Sequence, residues 1–144
     1  MKHLTHSSRE TQKLASNIAR KIISSPLPGQ RGAFVVALKG DLGGGKTTFA
    51  QGFAEGLGVK EKITSPTFNI YRRYKNFYHF DCYRVEKPEE ILRLGFLGII
   101  SDPKNIVLIE WAENIREILP AGAKWINFEF VDETTRRIDI SPLE

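Results

Sequence analysis

The chain is 144 residues long, 41% hydrophobic and 26% charged, with a formal net charge of +4. That length suits one domain, residues 1–144, which can bury roughly two-thirds of its unfolded surface, and it excludes a two-domain enzyme. The composition excludes a disordered or collagen-like chain, and no apolar run approaches the roughly 18 to 20 residues of a membrane helix.

The polar N-terminus, with His3, Thr5, His6 and Ser7, lacks the apolar stretch of a signal peptide, so a cytoplasmic location is expected. Ser7 and Glu10 then have the spacing of a capping box, and Leu14, Ala15, Ile18, Ala19 and Ile22 recur at helical spacing. They predict an amphipathic helix over 8–23. Pro26, Pro28 and Gly29 end it, and residues 34–39 form a short apolar run of the kind buried on both faces in parallel sheets. After a glycine-rich turn, Phe49, Ala50, Phe53, Ala54 and Leu57 predict a second helix from Lys46, with Gly56 and Gly58 closing it.

Residues 68–74 and 77–83 read as two strands of an antiparallel hairpin turning near Lys75 and Asn76. Pro88 starts a short helix through Leu94 with Gly95 as its stop, and the apolar run 96–100 is strand-sized or helix-end-sized. Residues 106–109 are a second fully apolar strand, followed by a helix carrying Ile115, Ile118 and Leu119 and stopped by Pro120. Ile126, Phe128 and Phe130, then Ile138 and Ile140, alternate with polar residues as a terminal hairpin does. Buried strands between helices, with hairpins added, predict an α/β fold with a mixed central sheet and helices on both faces.

Chemistry concentrates in Gly40-Asp41-Leu42-Gly43-Gly44-Gly45-Lys46-Thr47, which fits G-x-x-x-x-G-K-[ST] and lies between a buried strand and a helix, as a P-loop must. A phosphate cradle needs backbone N–H groups turned inward, hence glycines able to take positive φ, and the helix N-terminus adds partial positive charge. Lys46 is expected to reach the β and γ phosphates, Thr47 to ligate Mg²⁺ and Thr48 to donate to the α phosphate. Leu42 and Asp41 complete the expected ATP-binding loop. A glycine-rich turn with a coincidental lysine is the weaker alternative.

A Mg·nucleotide site also wants an acid at the end of a neighbouring apolar strand. Glu110, ending 106–109, is the better metal-side candidate, and Asp81 could orient the attacking water or an outer-shell Mg²⁺ ligand. Either could instead cap a helix or end a strand in solvent. In the loop 64–68, Thr67, stiffened by the preceding proline, is a candidate to close over the γ phosphate by analogy with a GTPase switch threonine, with an ordinary polar turn as the alternative. The guanine-reading order N-K-x-D is missing, which favours ATP; Pro103-Lys104-Asn105 is the nearest approach. Cys82 reads as a core thiol, and His79 as a strand residue rather than a ligand.

Three function classes use these parts. One is an ATPase whose turnover drives a partner and is slow alone, since no water-positioning Gln or arginine finger can be nominated. Another is a small-molecule kinase, with Asp81 as base and Arg72, Arg73 and Arg84 as a clamp. The third is an RNA-binding module in which Tyr71, Tyr74, Phe77, Tyr78 and Tyr83 interleave with basic residues, although a hairpin with one aromatic face in the core is the better account of most of them.

The phosphate loop through Thr48, Ser65-Pro66-Thr67-Phe68, Tyr78-His79-Phe80-Asp81-Cys82-Tyr83-Arg84, the segment from Pro88 to Gly95 and Ile109-Glu110-Trp111-Ala112-Glu113, in this order, resemble the TsaE (YjeE) family over nearly the whole chain. The resemblance implies the ATPase component of bacterial tRNA threonylcarbamoyladenosine synthesis, acting with TsaB and TsaD on tRNAs that read codons beginning with A. It implies that ATP hydrolysis supports multiple turnover of the partner complex, and that the chain does not itself transfer the threonylcarbamoyl group. By matching position it makes Lys46 and Thr47 phosphate and Mg²⁺ ligands, Glu110 the second Mg²⁺-side group, and Asp81 necessary for activity. It marks Ser65 to Thr67 as a mobile switch, Thr11 as a neighbour of the base, and Trp111 as packed beside the nucleotide or a partner. Cys82 departs from the family's usual branched aliphatic residue, and the segment between Phe68 and Tyr78 is shorter than in some relatives.

Overall fold

The computed structural model describes residues 1–24, 32–41, 43, 45–63 and 70–141. Seven strands make one mixed sheet: β1 (Lys2–Thr5), β2 (Phe34–Gly40), β3 (Tyr71–Tyr74), β4 (Phe77–Asp81), β5 (Ile106–Glu110), β6 (Lys124–Phe130) and β7 (Arg136–Ile140). Their spatial order is β1-β7-β6-β2-β5-β4-β3. The centre, β6-β2-β5-β4, is parallel, and both margins are antiparallel.

The two long helices, α1 (Ser8–Ser24) and α2 (Lys46–Gly56), cover one face. Ile18, Phe49 and Phe53 pack there against Val36, Leu38, Leu108 and Phe128, with the Phe49 ring edge-on to Phe128 at 5.4 Å between centroids. Such an edge-to-face pair adds about 0.5–1.5 kcal/mol beyond its buried area. Short helices α3 (Glu89–Leu92) and α4 (Phe96–Ser101), with the 3₁₀ segment Ala112–Ile118, cover the other face. Ile91, Phe96 and Ile115 bury there against Val35, Ala37, Phe80 and Ile109. The α/β P-loop architecture with helices on both faces is therefore present.

The capping box forms in a shifted version. Ser7 Oγ accepts from Glu10 N at 3.0 Å, but the Glu10 carboxylate accepts from His6 N rather than from Ser7. α1 and α2 approach so closely that a Cβ on Gly52 would stand 2.2 Å from Gln12 O, and one on Gly56 2.5 Å from Ser16 O. Gly56 thus serves helix contact rather than helix termination, and the chain turns at Leu57 and Gly58, whose φ is +87°.

Four elements depart from expectation. β1 is an additional strand, held as an edge partner of β7 with Lys2 opposite Asp139. The run 96–100 belongs to a helix, α4, entered through Gly95 at φ +82°. The segment after β5 is 3₁₀ rather than α-helical, because Trp111 enters it at φ +58° and Ile115 leaves the helical path at φ −129°. The first hairpin is shorter than 68–83: β4 ends at Asp81, whose Oδ1 accepts from Tyr83 N and turns the chain. Residues 68 and 69 lie outside the described residues, as do Leu42, Gly44, Ser65 and Thr67.

Candidate functional site

β2 ends at Gly40, where φ is +125° and a Cβ would lie 2.1 Å from Phe128 O, so only glycine lets the chain leave the sheet here. Gly43 and Gly45 also have positive φ, at +76° and +100°. Gly45 is the N-cap of α2, without a side-chain cap, and the first turn carries no acid. The positive end of the helix is thereby left facing the loop, the arrangement that receives anions.

Asp41 fastens this loop to β6. Its N–H donates to Phe128 O at 3.0 Å and its carboxylate accepts from Phe130 N at 3.2 Å, so its side chain is turned to the strand. Lys46, 5% exposed, donates from Nζ to Gly40 O at 2.8 Å and to Asp41 O at 2.7 Å, with the Trp111 ring centroid 3.9 Å away. Burial lowers its pKa, opposed by the charges of Glu113, Glu110, Asp41 and Asp81.

The acids assemble because parallel strands end together. Asp81 is level with Glu110 in the β4–β5 register, and the period of two along β4 puts His79 on the same face. Glu110, 2% exposed, uses both oxygens: Oε1 accepts from Thr47 Oγ1 at 2.8 Å, and Oε2 lies 2.6 Å from His79 Nε2. Asp81 stands half-buried beside it. Desolvation first, then the charge of Glu110, raises its pKa, while the Tyr83 N–H, His79 and Arg84 pull it down.

A cleft of about 520 Å³ opens over these groups, a size suited to a small-molecule ligand. Its floor is Gly43, Gly45, Lys46, Thr47, Thr48, Glu110 and Trp111. One wall is His6, Ser7, Ser8 and Thr11, with Thr11 fixed by a 2.7 Å hydrogen bond between its hydroxyl and that of Thr5. The opposite wall is Glu133 and Thr134 from the β6–β7 turn and Arg136 at the start of β7. Thr47 and Glu110 bring a hydroxyl and a carboxylate oxygen together, the hard oxygen donors that Mg²⁺ prefers. The predicted residues Thr11, Gly43, Gly45, Lys46, Thr47, Thr48 and Glu110 thus share one cleft, with Asp81 beside Glu110.

Sequence reading missed three contributors. His79 is a strand residue, as expected, but is also the partner of Glu110. Glu113 accepts from Gly40 N at 3.2 Å and keeps its other carboxylate oxygen buried without a partner among the described residues. Arg136 reaches the cleft only because the sheet order sets its hairpin beside the phosphate loop. The aromatic residues of the first hairpin turn largely inward: Phe77 and Tyr78 are buried, and Tyr71 stacks on Phe80 at 4.8 Å. Cys82 is fully buried, with its thiol pushed up to about 12 by desolvation.

Residues 5–138 match the family model of "Threonylcarbamoyl adenosine biosynthesis protein TsaE". The chain is 38% identical over 143 residues to the tRNA threonylcarbamoyladenosine biosynthesis protein TsaE of Rickettsia conorii, covering 96% of this chain and 76% of that one. It is 47% identical over 92 residues to the protein of the same name from Bacillus subtilis, covering 60% of this chain and 55% of that one. The crystal structure of Bacillus subtilis YdiB superposes with a TM-score of 0.69 at 31% identity, covering all of this chain and 86% of that one. With its family match, its relatives and its P-loop fold in agreement, the chain belongs to the TsaE family of tRNA threonylcarbamoyladenosine biosynthesis.

Proposed function

We propose that residues 1–144 act as one cytoplasmic domain that binds Mg·ATP and hydrolyses it slowly alone, supporting TsaB and TsaD in modifying tRNA. The observation that carries this reading is the 2.8 Å contact between Thr47 of the phosphate loop and Glu110 of β5, beside Lys46. In this reading the loop N–H groups and Lys46 hold the phosphates, Thr48 donates to the α phosphate, and Thr11 stands near the base. Thr47 and Glu110 hold Mg²⁺, which when bound neutralises charge developing on phosphate oxygens. Asp81, whose carboxyl is held above its ordinary value by burial and then by the charge of Glu110, orients the attacking water and accepts its proton. The switch role of Ser65 and Thr67 belongs to the same proposal.

The slowness follows from what the cleft contains. Its one arginine among the described lining residues, Arg136, stands over the Phe130 ring at 4.7 Å and donates to Asp132 O at 2.6 Å and to Thr135 O at 3.1 Å. It is thus engaged within its own hairpin rather than held ready for phosphate. A partner-supplied group is therefore part of the proposal. The test is ATP hydrolysis by the chain alone and with TsaB and TsaD, beside Lys46→Ala and Glu110→Ala. Stimulation by the partners that both substitutions abolish supports the reading. Hydrolysis unaffected by either substitution, or none under any condition with nucleotide bound, refutes it.

A further inference from the structure

Glu110 is a buried carboxylate with one side chain on each oxygen, Thr47 at Oε1 and His79 at Oε2. His79 is 0% exposed, and its Nδ1 is buried without a partner among the described residues. A carboxylate only accepts, so the 2.6 Å contact requires the ring to donate from Nε2, and Nδ1 takes no part in it. Burying an unpaired polar atom costs stability, and an apolar residue here would pack against the same core without that cost. Phe77, two residues earlier on the same face, does so. The imidazole therefore has a use that packing does not explain.

The use follows from where it stands. His79 pairs with Leu108 in the sheet and Asp81 pairs with Glu110, so the ring approaches the Glu110 carboxylate from the interior side of the strand end. With Oε2 held there, the carboxylate cannot spin about its last torsion, and Oε1 stays turned to Thr47. We infer that His79 is a positioning residue for the divalent-cation side of the nucleotide site, aiming Glu110 through its Oε2. This rests on the nucleotide reading above and adds the residue that makes Glu110 a preorganised rather than a rotating partner. Outer partners that orient metal-side carboxylates typically change metal affinity by about 10- to 100-fold when removed.

The test is calorimetric titration of ADP into wild type, His79→Leu and His79→Gln, each in MgCl₂ and in EDTA, with thermal unfolding of each protein recorded. In His79→Leu the affinity gained on adding Mg²⁺ should shrink by about 10-fold while the EDTA affinity stays unchanged. In His79→Gln, whose amide nitrogen can take the place of Nε2, most of that gain should return. His79→Asn, too short to reach Glu110, should behave as His79→Leu and covers the case in which the leucine variant fails to fold. An unchanged Mg²⁺ gain in the Leu or Asn variant overturns the inference, and so does an equal loss with and without Mg²⁺. Lys46→Ala, run alongside, separates the two levels. If it leaves ADP binding intact, the nucleotide reading fails; if it abolishes binding while His79→Leu has no effect, only the role of His79 fails.

Discussion

Substituting Gly52 with alanine sets two known effects against each other. In a free helix the change is favourable by about 1 kcal/mol, because glycine loses more backbone entropy on folding. Here the new Cβ would lie 2.2 Å from Gln12 O, 2.5 Å from Gln12 Cα and 2.7 Å from Gln12 C. All three are backbone atoms, so no rotamer change relieves the contact, and α1 and α2 must separate by about 1 Å to restore ordinary distances. Overpacking of this kind costs about 1–3 kcal/mol, and the rigidity of two helices argues for the upper end. The expected net loss is about 1–2 kcal/mol, a fall in Tm of about 2–8 °C for a chain of this size. Gly98 in α4 supplies the control: it is exposed, an added methyl there would meet nothing within 4 Å, and it should gain stability as alanine. Thermal unfolding followed by circular dichroism measures both variants. A Tm for Gly52→Ala at or above wild type would refute the steric argument. Because α1 also carries Thr11, the same substitution should weaken nucleotide binding, which titration of ADP would read.

Other expectations follow from the charges and the thiol. Burial and the neighbouring Glu110 raise the Asp81 pKa above 3.8, so the folded state holds that proton more tightly than the unfolded chain. Ionised Asp81 therefore weakens the fold at neutral pH. Asp81→Asn, which keeps an acceptor for the Tyr83 N–H, should raise Tm at pH 7 by about 1–3 °C while lowering hydrolysis. The stability gain should vanish as the pH falls below 3.8, and a lower Tm at pH 7 would contradict the sign. Cys82, with its thiol at about 12, should resist thiol reagents in the native protein at pH 8, where only about 1 in 10⁴ is thiolate, and react on unfolding. Prompt labelling of the folded chain would count against its burial. Gly40→Ala, which combines φ +125° with a 2.1 Å approach to Phe128 O, should lose nucleotide binding even where the protein still folds.

The phosphate loop is legible in the sequence because its chemistry demands glycines at positions that a strand and a helix bracket. Glu110 is legible because an uninterrupted apolar strand ends on it. β1 is not: four residues at a sheet margin, two of them exposed, carry no periodic signal, and only pairing with β7 makes them a strand. His79 looks like an ordinary core histidine because its partner lies 31 positions away and depends on the β4–β5 register. The alternation that puts Phe77 and Asp81 on one face places His79 there too, but only the level of β4 against β5 reveals what it meets. Glu113 carries no local sign of a role, since nothing nearby in the sequence shows that it meets Gly40 N. The terminal hairpin can be read from its alternation, whereas its service as a cleft wall arises from topology, which seats β6 directly beside β2.

Lys46 gives this site a particular temperament. Its ammonium already has two carbonyl acceptors and an aromatic face supplied by its own chain. In the nucleotide reading proposed for this site, a phosphate competes with that arrangement, and the affinity it gains is the difference between two sets of contacts rather than the filling of an unmet need. In that reading, a shift of Trp111 or of the loop carbonyls changes what the site gains from a phosphate.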